Sequence, residues 1–197
     1  MITMENLTEI MPNIPLAHAA EYAALLSRAM LAGSINTVLR AAAFLGQLAH
    51  ESEGLRTLQE YASGAEYEGS QNLGNTQPGD GVKYKGRGGI QRTGRANYQR
   101  FQDATGIQVI DHPELLEVPE HAFRSDVLYW TDNKLNAYAD RIDFLGLSKV
   151  INLGNAHSER MPNGWQMRLD KTRLALAVLG REAVIITGDG VPEAIRR

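Results

Sequence analysis

The sequence predicts a mainly α-helical domain whose helical core borders a cleft, with a small β-hairpin and loop region beside that cleft. Apolar residues recur at helical spacing through most of the chain, which is typical of amphipathic helices. One stretch, residues 62–94, carries nine glycines and few aliphatic residues, which favours turns and short extended pieces. Strand patterns do not alternate regularly with helical ones, and this argues against a parallel sheet.

The first part of the chain, residues 1–33, is expected to be helical. Residues 5–33 read as one or two short helices that break near Pro12 and Pro15, because proline lacks the backbone donor that a helix interior needs. An alanine- and leucine-rich run then leads to Gly33, which favours a helix end.

A longer helix is predicted over residues 34–54, with Ser34 or Asn36 as its cap and Gly54 as its stop. One apolar stripe along it repeats at helical spacing and consists of Val38, Ala42, Leu45 and Ala49. We expect this face to pack into the core, with Glu51 continuing an apolar face near the end of the helix.

Helical patterns resume beyond the glycine-rich stretch. They cover residues 95–106, 120–140, 143–154 and 164–180. The tail, residues 181–197, reads as a short strand and a loose end. A length of 197 residues fits one domain, which we expect to consist of the amino-terminal helical part, a core over residues 34–180 and the tail.

Composition argues against several classes of protein. The chain has no cysteine, so disulfides, thiolate nucleophiles and zinc-thiolate sites are excluded. A net charge of −3 argues against a nucleic-acid binder of the wholly basic kind. The amino terminus lacks the pattern of a signal peptide, and no stretch is apolar enough to span a membrane. We therefore expect a protein that is made and kept soluble in a cytoplasm unless something else releases it.

A basic segment lies between residues 82 and 102 and contains no acid. Its cations are Lys83, Lys85, Arg87, Arg92, Arg95 and Arg100. A segment of this kind faces either an anionic partner or solvent.

Two glutamates in neighbouring segments have different electrostatic surroundings. Glu51 lies just before Gly54, where the negative end of a helix dipole and the loss of water favour the neutral carboxyl that a general acid needs. Glu60 follows in a polar stretch, where an ionised carboxylate is better solvated and suits a general base. Such a pair is the usual pattern of glycoside hydrolysis, although a glutamate at a helix end is most often a solvated surface charge. His50 lacks the second histidine of the zinc-protease helix motif, so we expect no metal site.

Four sequence matches in order give the chain a family resemblance. They are AHES around Glu51, Glu60 nine residues later, YKGRGGIQRTGRANY over residues 84–98, and INLGN over residues 151–155. Together they resemble the family 19 glycoside hydrolases, the plant-type chitinases and the phage endolysins related to them. The resemblance covers residues 44–179, and it implies a lysozyme-like α+β fold, a single catalytic domain and inversion at the anomeric carbon.

The resemblance also implies roles for particular residues. Glu51 would be the general acid, Glu60 the general base, and Thr93 the hydroxyl that helps to hold the attacking water. Gln91, Asn97 and Asn152 would bind sugar amide and hydroxyl groups, which suits side chains that donate and accept hydrogen bonds.

Further substrate-binding residues are expected in the same region, namely Arg87 and, as rings that stack on sugar faces, Tyr61, Tyr67 and Tyr84. The chain departs from the family pattern at three positions. The family commonly has an aliphatic residue or proline where Gly89 stands, an aliphatic residue where Arg92 stands, and a small residue where Glu53 stands.

The substrate is expected to be peptidoglycan, because its peptides carry carboxylates that a basic segment would attract, whereas chitin is neutral. The missing signal pattern favours the same choice. We expect a monomeric phage endolysin that stays in the host cytoplasm until a holin opens the membrane, and then cleaves glycan strands in the periplasm and cell wall. A chitinase, a lytic transglycosylase and an inactive glycan-binding module are the alternatives. No cofactor is expected, since a two-carboxylate mechanism needs none.

Overall fold

The structure is a computed structural model that describes the backbone of residues 1–187 and the side chains of residues 1–181. Its α-helices are α1 (Met4–Ile10), α2 (Leu16–Ala32), α3 (Val38–Glu51), α4 (Asp80–Lys83), α5 (Arg95–Thr105), α6 (Pro119–Asp132), α7 (Leu135–Asp140), α8 (Phe144–Leu153) and α9 (Trp165–Thr187). Three short 3-10 helices cover Ala65–Tyr67, Gln71–Leu73 and Pro113–Glu117. The mainly helical prediction is therefore confirmed.

The two amino-terminal helices are separated where the prolines predict a break. Thr3 caps α1, because its side chain accepts a hydrogen bond from the Asn6 backbone while the Asn6 side chain accepts one from the Thr3 backbone. Pro15 stands at the N-cap of α2, where its missing N–H costs nothing. A hydrogen bond from Ile2 N to Ser27 Oγ ties the start of the chain to α2.

Helix α3 starts later than the sequence predicts. Ser34 has a left-handed backbone with φ of 55°, so it cannot open a helix, and the Arg40 N–H is accepted at 3.2 Å by Thr37 instead. Neither Ser34 nor Asn36 is therefore the cap. The helix also ends earlier than predicted, at Glu51 with Ser52 as its C-cap, and the left-handed residues Glu53 (φ 51°) and Gly54 (φ 79°) follow it.

Helix α3 runs through the main core and lies against α9. The two backbones approach closely at Gly46, where an added Cβ would lie 2.4 Å from Thr172 Oγ1. On another side the ring of Phe44 meets Trp130 of α6 edge-on, with ring centroids 5.2 Å apart. A second, smaller core cluster consists of Tyr84, Tyr98, Phe101, Val109 and Leu116.

The predicted β-hairpin is reduced to two isolated antiparallel bridges in the described part of the chain. Gln59 bridges Arg87, and Arg87 bridges Arg92. The glycine-rich stretch forms short helical turns rather than strands, and side chains satisfy much of its backbone: Glu68, for example, accepts hydrogen bonds from the N–H groups of Gly79 and Gly81. Paired strands are thus unnecessary here.

The tail departs from its prediction. The run that reads as a short strand continues α9 to Thr187, and the rest of the tail lies outside the described residues. Among residues 1–187, no helix combines the length and the apolar character that crossing a membrane requires.

Candidate active site

Glu60 is fixed through its backbone and both carboxylate oxygens. The bridge between Gln59 and Arg87 places Glu60 opposite Gly86, whose carbonyl accepts from Glu60 N at 3.0 Å. Gly86 N donates to Glu60 Oε1 at 2.8 Å, and the Tyr67 hydroxyl donates to Glu60 Oε2 at 3.1 Å. The carboxylate therefore has one defined orientation, which a base that activates a single water requires.

Tyr67 contacts the predicted base directly. Burial, followed by the negative charge of Glu60, raises the pKa of Tyr67 to about 12. The phenol therefore keeps its proton and acts as a donor to Glu60. The sequence predicts stacking on sugar for this ring and gives no sign of this hydrogen bond.

Glu51, the last residue of α3, meets a cation that the sequence does not indicate. Arg168 of α9 is 1% exposed, and its Nη1 lies 2.6 Å from Glu51 Oε1. This close ion pair lacks the alignment of a hydrogen bond, since Oε1 has no hydrogen-bond partner. Arg168 also donates to Gln47 Oε1 at 2.8 Å and to Asn163 O at 2.8 Å. Because Gln47 and Arg168 are 121 positions apart, only the folded chain brings them together.

His50 is half-buried beside Glu51 and faces the positive groups of α9. Burial first, then the charges of Arg168 and Lys171, lowers the pKa of His50 to about 4. Its ring fills the space beside Gly164, where a Cβ would lie 2.3 Å from His50 Cε1. No metal-binding group of three or more His, Asp or Glu side chains occurs among the described residues.

The side chain of Gln91 lies beside that of Glu60. Its backbone is left-handed with φ of 57°, and its Nε2 donates to Gly88 O at 2.9 Å. Gln91 Oε1 is buried and has no hydrogen-bond partner in the described chain. A Cβ added to Gly86 would lie 2.7 Å from this oxygen and 3.3 Å from Glu60 Oε2, so both side chains lie against Gly86. A buried acceptor without a donor is free to bind a ligand group.

The loop that carries Gln91 also holds Thr93 and leads into α5. Thr93 Oγ1 donates to Gln91 O at 2.9 Å, and Asn97 Nδ2 donates to Thr93 O at 2.7 Å. A cavity of about 140 Å³ is lined by Leu73, Ile90, Gln91, Arg92, Thr93, Asn97, Ser125, Asp126, Tyr129 and Ile151. Three of the predicted site residues thus share one cavity.

The other predicted residues, which are Glu51, Glu60, Asn152, Tyr61, Tyr84 and Arg87, do not line this cavity. Burial raises the pKa of Tyr129, and the charge of Glu51 raises it further, so the carboxyl lies within electrostatic reach of the cavity wall. Asn152 directly follows Ile151 of the lining, and its Oδ1 accepts from Asn163 N at 2.8 Å. Tyr61 is 74% exposed, so its ring is available for stacking on sugar.

Two predicted substrate-binding residues are structural. Tyr84 is 0% exposed, its ring packs on Tyr98 with centroids 5.1 Å apart, and its hydroxyl donates to Ile110 O. The prediction that Tyr84 stacks on sugar is therefore wrong. Arg87 is buried, and it donates to Glu117 Oε1 at 2.7 Å and to the Tyr98 hydroxyl at 2.9 Å. These contacts engage the guanidinium inside the protein, so the assignment of Arg87 to substrate is also wrong.

The basic segment does not form an open cationic surface. Arg95 pairs with Asp80 and Arg100 with Asp132, just as Arg87 pairs with Glu117. Arg92 is buried against Ser125. The structure therefore corrects the idea that this whole segment faces an anionic partner. Lys85 differs, because its Nζ donates to two carbonyl oxygens, those of Glu60 at 3.3 Å and Ala62 at 3.4 Å, and pairs with no carboxylate among the described residues.

Comparison with known sequences finds rice chitinases among the matches. Chitinase 11 of Oryza sativa subsp. japonica is 36% identical over 90 residues, which cover 45% of this chain and 34% of the rice protein. Chitinase 8 of the same plant is 30% identical over 92 residues, which cover 45% of this chain and 33% of that protein. The matched part thus spans about a third of these relatives. No family model matches the sequence.

Comparison with solved structures gives matches over most of the chain. Chitinase C from Streptomyces griseus HUT6037 superposes with a TM-score of 0.75 at 23% identity, covering 91% of this chain and 76% of that one. A bacterial family 19 chitinase has a TM-score of 0.70 at 23% identity, covering 91% and 95%. A family GH19 class IV chitinase from Zea mays has a TM-score of 0.63 at 20% identity, covering 79% and 78%. The described residues of this chain therefore have the fold of the family 19 chitinases.

Proposed function

We propose that the chain is a glycoside hydrolase that cleaves a glycan of N-acetylated sugars by inversion, with Glu51 as the acid and Glu60 as the base. The observation that carries this proposal is the shared position of Glu60 and Gln91 against Gly86: a base held at both oxygens lies beside a buried, unpartnered amide oxygen. Because the chain has the fold of the family 19 chitinases, we assign glycoside hydrolysis to this arrangement.

The proposed reaction is a single displacement. Glu51 gives a proton to the glycosidic oxygen while Glu60 takes one from a water that attacks the anomeric carbon, so the C–O bond to the leaving sugar breaks as the new C–O bond forms. Because Arg168 occupies Glu51 Oε1, Oε2 is the oxygen left to carry the proton. Thr93 and Gln91 share one loop beside the base, where Thr93 orients the water and Gln91 Oε1 accepts from a sugar N–H or O–H.

The substrate that we propose is peptidoglycan, cleaved by an endolysin that leaves the host cytoplasm through a holin-dependent route and acts on the cell wall. Lys85 supports this choice. Its ammonium group lies beside the base and contacts carbonyl oxygens, with no carboxylate paired to it among the described residues. A carboxylate of a muramyl peptide would complete the pairing.

Chitin is the second candidate. It is favoured by the names of the rice relatives and of the matched structures, and by the internal ion pairs of three of the six cations in the basic segment. Chitin is neutral and needs no cation at the cleft, whereas peptidoglycan has carboxylates that Lys85 would bind. Substitution of Lys85 therefore distinguishes the two candidate substrates.

The test compares purified Gram-negative sacculi with colloidal chitin. Wild type, Glu51→Gln and Glu60→Gln are assayed with Glu120→Gln, a matched control at an exposed glutamate of α6. We expect wild type and the control to clear sacculi and to release fragments with hydrated reducing ends of inverted configuration, and each site variant to lose at least about 100-fold in rate. Full clearing by Glu51→Gln would contradict the proposed reaction.

The products separate the remaining possibilities. Soluble chito-oligosaccharides without any effect on sacculi would indicate a chitinase, and anhydro-sugar ends would indicate a lytic transglycosylase. Binding to either polymer without new reducing ends would indicate an inactive glycan-binding module.

A further inference from the structure

Asp126 of α6 is a buried carboxylate aimed at one loop. It is 1% exposed, and its two oxygens accept from consecutive backbone amides, Oδ2 from Gly89 N at 3.0 Å and Oδ1 from Ile90 N at 2.9 Å. Burial raises the pKa of Asp126 to about 7, while the two amide hydrogen bonds and the charge of Arg92 oppose that rise. Burying a carboxylate is unfavourable unless its oxygens are bonded, and here both bonds go to the same loop.

The two amides directly precede the residues that face the cavity. Gln91 follows with φ of 57°, a conformation that a non-glycine residue adopts only when its surroundings hold it there. The carbonyl of Gln91 then accepts from Thr93 Oγ1. The positions of the Gln91 amide and the Thr93 hydroxyl thus depend on how Gly89 and Ile90 are held.

Gly89 and Arg92 both act on Asp126, the first through space and the second through charge. A Cβ on Gly89 would lie 2.7 Å from Asp126 Oδ2 and 2.2 Å from Leu48 Cδ1, and a proline there would have no N–H to donate. Arg92 donates to Ser125 O at 3.0 Å and to Asn97 O at 3.1 Å, and its charge acts on Asp126. The missing side chain at Gly89 leaves room for the buried carboxylate of Asp126. The charge of Arg92 favours the ionised form of that carboxylate.

We propose that Asp126 is a positioning residue that holds the backbone of Gly89 and Ile90 and so presents Gln91 and Thr93 to the substrate. The effect on catalysis rests on the proposed function, whereas the effect on the loop does not. The two parts are therefore measured separately.

The loop is tested by amide hydrogen exchange, followed by NMR, in Asp126→Asn. The asparagine has the shape of aspartate but turns an NH₂ group toward one of the two amides, so one hydrogen bond is lost. We expect exchange at Gly89 and Ile90 to become at least about tenfold faster. Asp132→Asn, on the same helix and paired with exposed Arg100, is the control and should leave both amides unchanged.

A double-mutant cycle tests whether Asp126 affects catalysis through Gln91. It compares kcat/KM of the single and double variants on the substrate that wild type cleaves. We expect Asp126→Asn alone to lower kcat/KM by about tenfold, and to lower it by less than about threefold when Gln91→Ala is already present. A residue that only stabilises the fold would give the same factor in both backgrounds, once the rates are corrected for the folded fraction.

Unchanged exchange at Gly89 and Ile90 would overturn the proposal, whatever the activity. Equal factors in the two backgrounds would overturn the part that concerns catalysis. If wild type cleaves neither polymer, the proposed function has failed and the exchange experiment still decides the role of Asp126. If Asp126→Asn does not fold, the double variant Asp126→Ala with Arg92→Met removes both buried charges, and the same fast exchange is expected in it.

Discussion

The hydrogen bond from Tyr67 to Glu60 makes a specific prediction for Tyr67→Phe. Removing the hydroxyl leaves Glu60 Oε2 without its donor while the ring stays in place. Since a hydrogen bond to a charged group contributes about 1.5–3 kcal/mol when buried, and Tyr67 is only partly buried, we expect kcat to fall by about 5- to 10-fold with little change in KM. Steady-state kinetics on the cleaved glycan measures this. Tyr61→Phe is the control, and an equal loss in both variants would contradict the role of Tyr67.

Tyr61 and Tyr84 should respond in opposite ways to removal of the ring. Tyr61→Ala deletes an exposed ring and should raise KM for oligosaccharides several-fold without changing the melting temperature. Tyr84→Ala empties a buried site in the second cluster, so we expect the free energy of unfolding to drop by about 3–5 kcal/mol. Denaturant titration and oligosaccharide kinetics of both variants check the pair. A KM effect confined to Tyr84→Ala, measured on folded protein, would reverse the assignment.

His50 and Asp126 should oppose each other in the pH dependence of stability. The pKa of His50 falls from 6.5 to about 4 on folding, so the unfolded chain takes up the proton first and stability is lost as the pH falls from 6.5 toward 4. The pKa of Asp126 rises from 3.8 to about 7, so the unfolded chain releases its proton first and stability is lost as the pH rises across that window.

Single variants should separate the two effects. Urea titrations between about pH 4 and 7 are expected to show that His50→Gln makes the free energy of unfolding fall more steeply with rising pH than in wild type. Asp126→Asn should shift the slope in the other direction. Parallel curves for all three proteins would show that these groups are not linked to folding.

The close approach of α3 and α9 predicts a large effect for a small substitution. Gly46→Ala places a methyl group 2.4 Å from Thr172 Oγ1 and 2.7 Å from Thr172 Cα, so the two helices must separate. We expect a loss of about 1–3 kcal/mol in the free energy of unfolding, and a lower kcat because Arg168 moves away from Glu51 with α9. Thermal unfolding and kinetics measure both effects.

The matched control for this substitution in α3 is Gly180→Ala, in α9. No described atom lies within 4 Å of a Cβ at that position, and alanine is the better helix former. Its melting temperature should be equal to or above that of wild type. A melting temperature for Gly46→Ala as high as that of Gly180→Ala would show that the helices tolerate separation.

Helical periodicity predicts most of the helices because their buried faces repeat in the sequence. Boundaries are less predictable. The start of α3 depends on the left-handed conformation of Ser34, which leaves Thr37 as the cap. The strand predicted after Arg181 is wrong because β-branched residues can extend a helix that is already formed. The hairpin shrinks to bridges because side chains supply hydrogen-bond partners that a second strand would otherwise provide.

Sequence motifs predict the residues of the candidate site. They do not predict the residues that surround it. Glu60 and Gln91, to which the resemblance assigns roles at one site, lie together against Gly86. Arg168 and Asp126 have no local signature, because their partners come from distant segments. Arg87 was misassigned since its partner, Glu117, belongs to another part of the chain.

Within the basic segment, Lys85 is the cation that lies beside Glu60, and no described carboxylate pairs with it, so we choose it as the cation to test for substrate choice. We expect Lys85→Gln to lower kcat/KM on sacculi by about 3- to 10-fold at low salt, with a smaller effect at high salt, and to leave the rate on chito-oligosaccharides unchanged. Lys83→Gln, at an exposed position two residues earlier, is the control. An equal loss on both polymers would mean that Lys85 supports Glu60 and does not read substrate charge.

The contact between Arg168 and Glu51 has a consequence for synthesis on the ribosome. Glu51, Glu60 and the Gln91 loop leave the exit tunnel well before α9, which supplies both the cation beside Glu51 and the surface that covers α3. Until α9 emerges, the nascent chain exposes the apolar face of α3 and lacks Arg168, so we expect it to be inactive and to depend on chaperones. Enzymatic activity should therefore begin only after α9 has been translated, and truncation of the chain before α9 should abolish it.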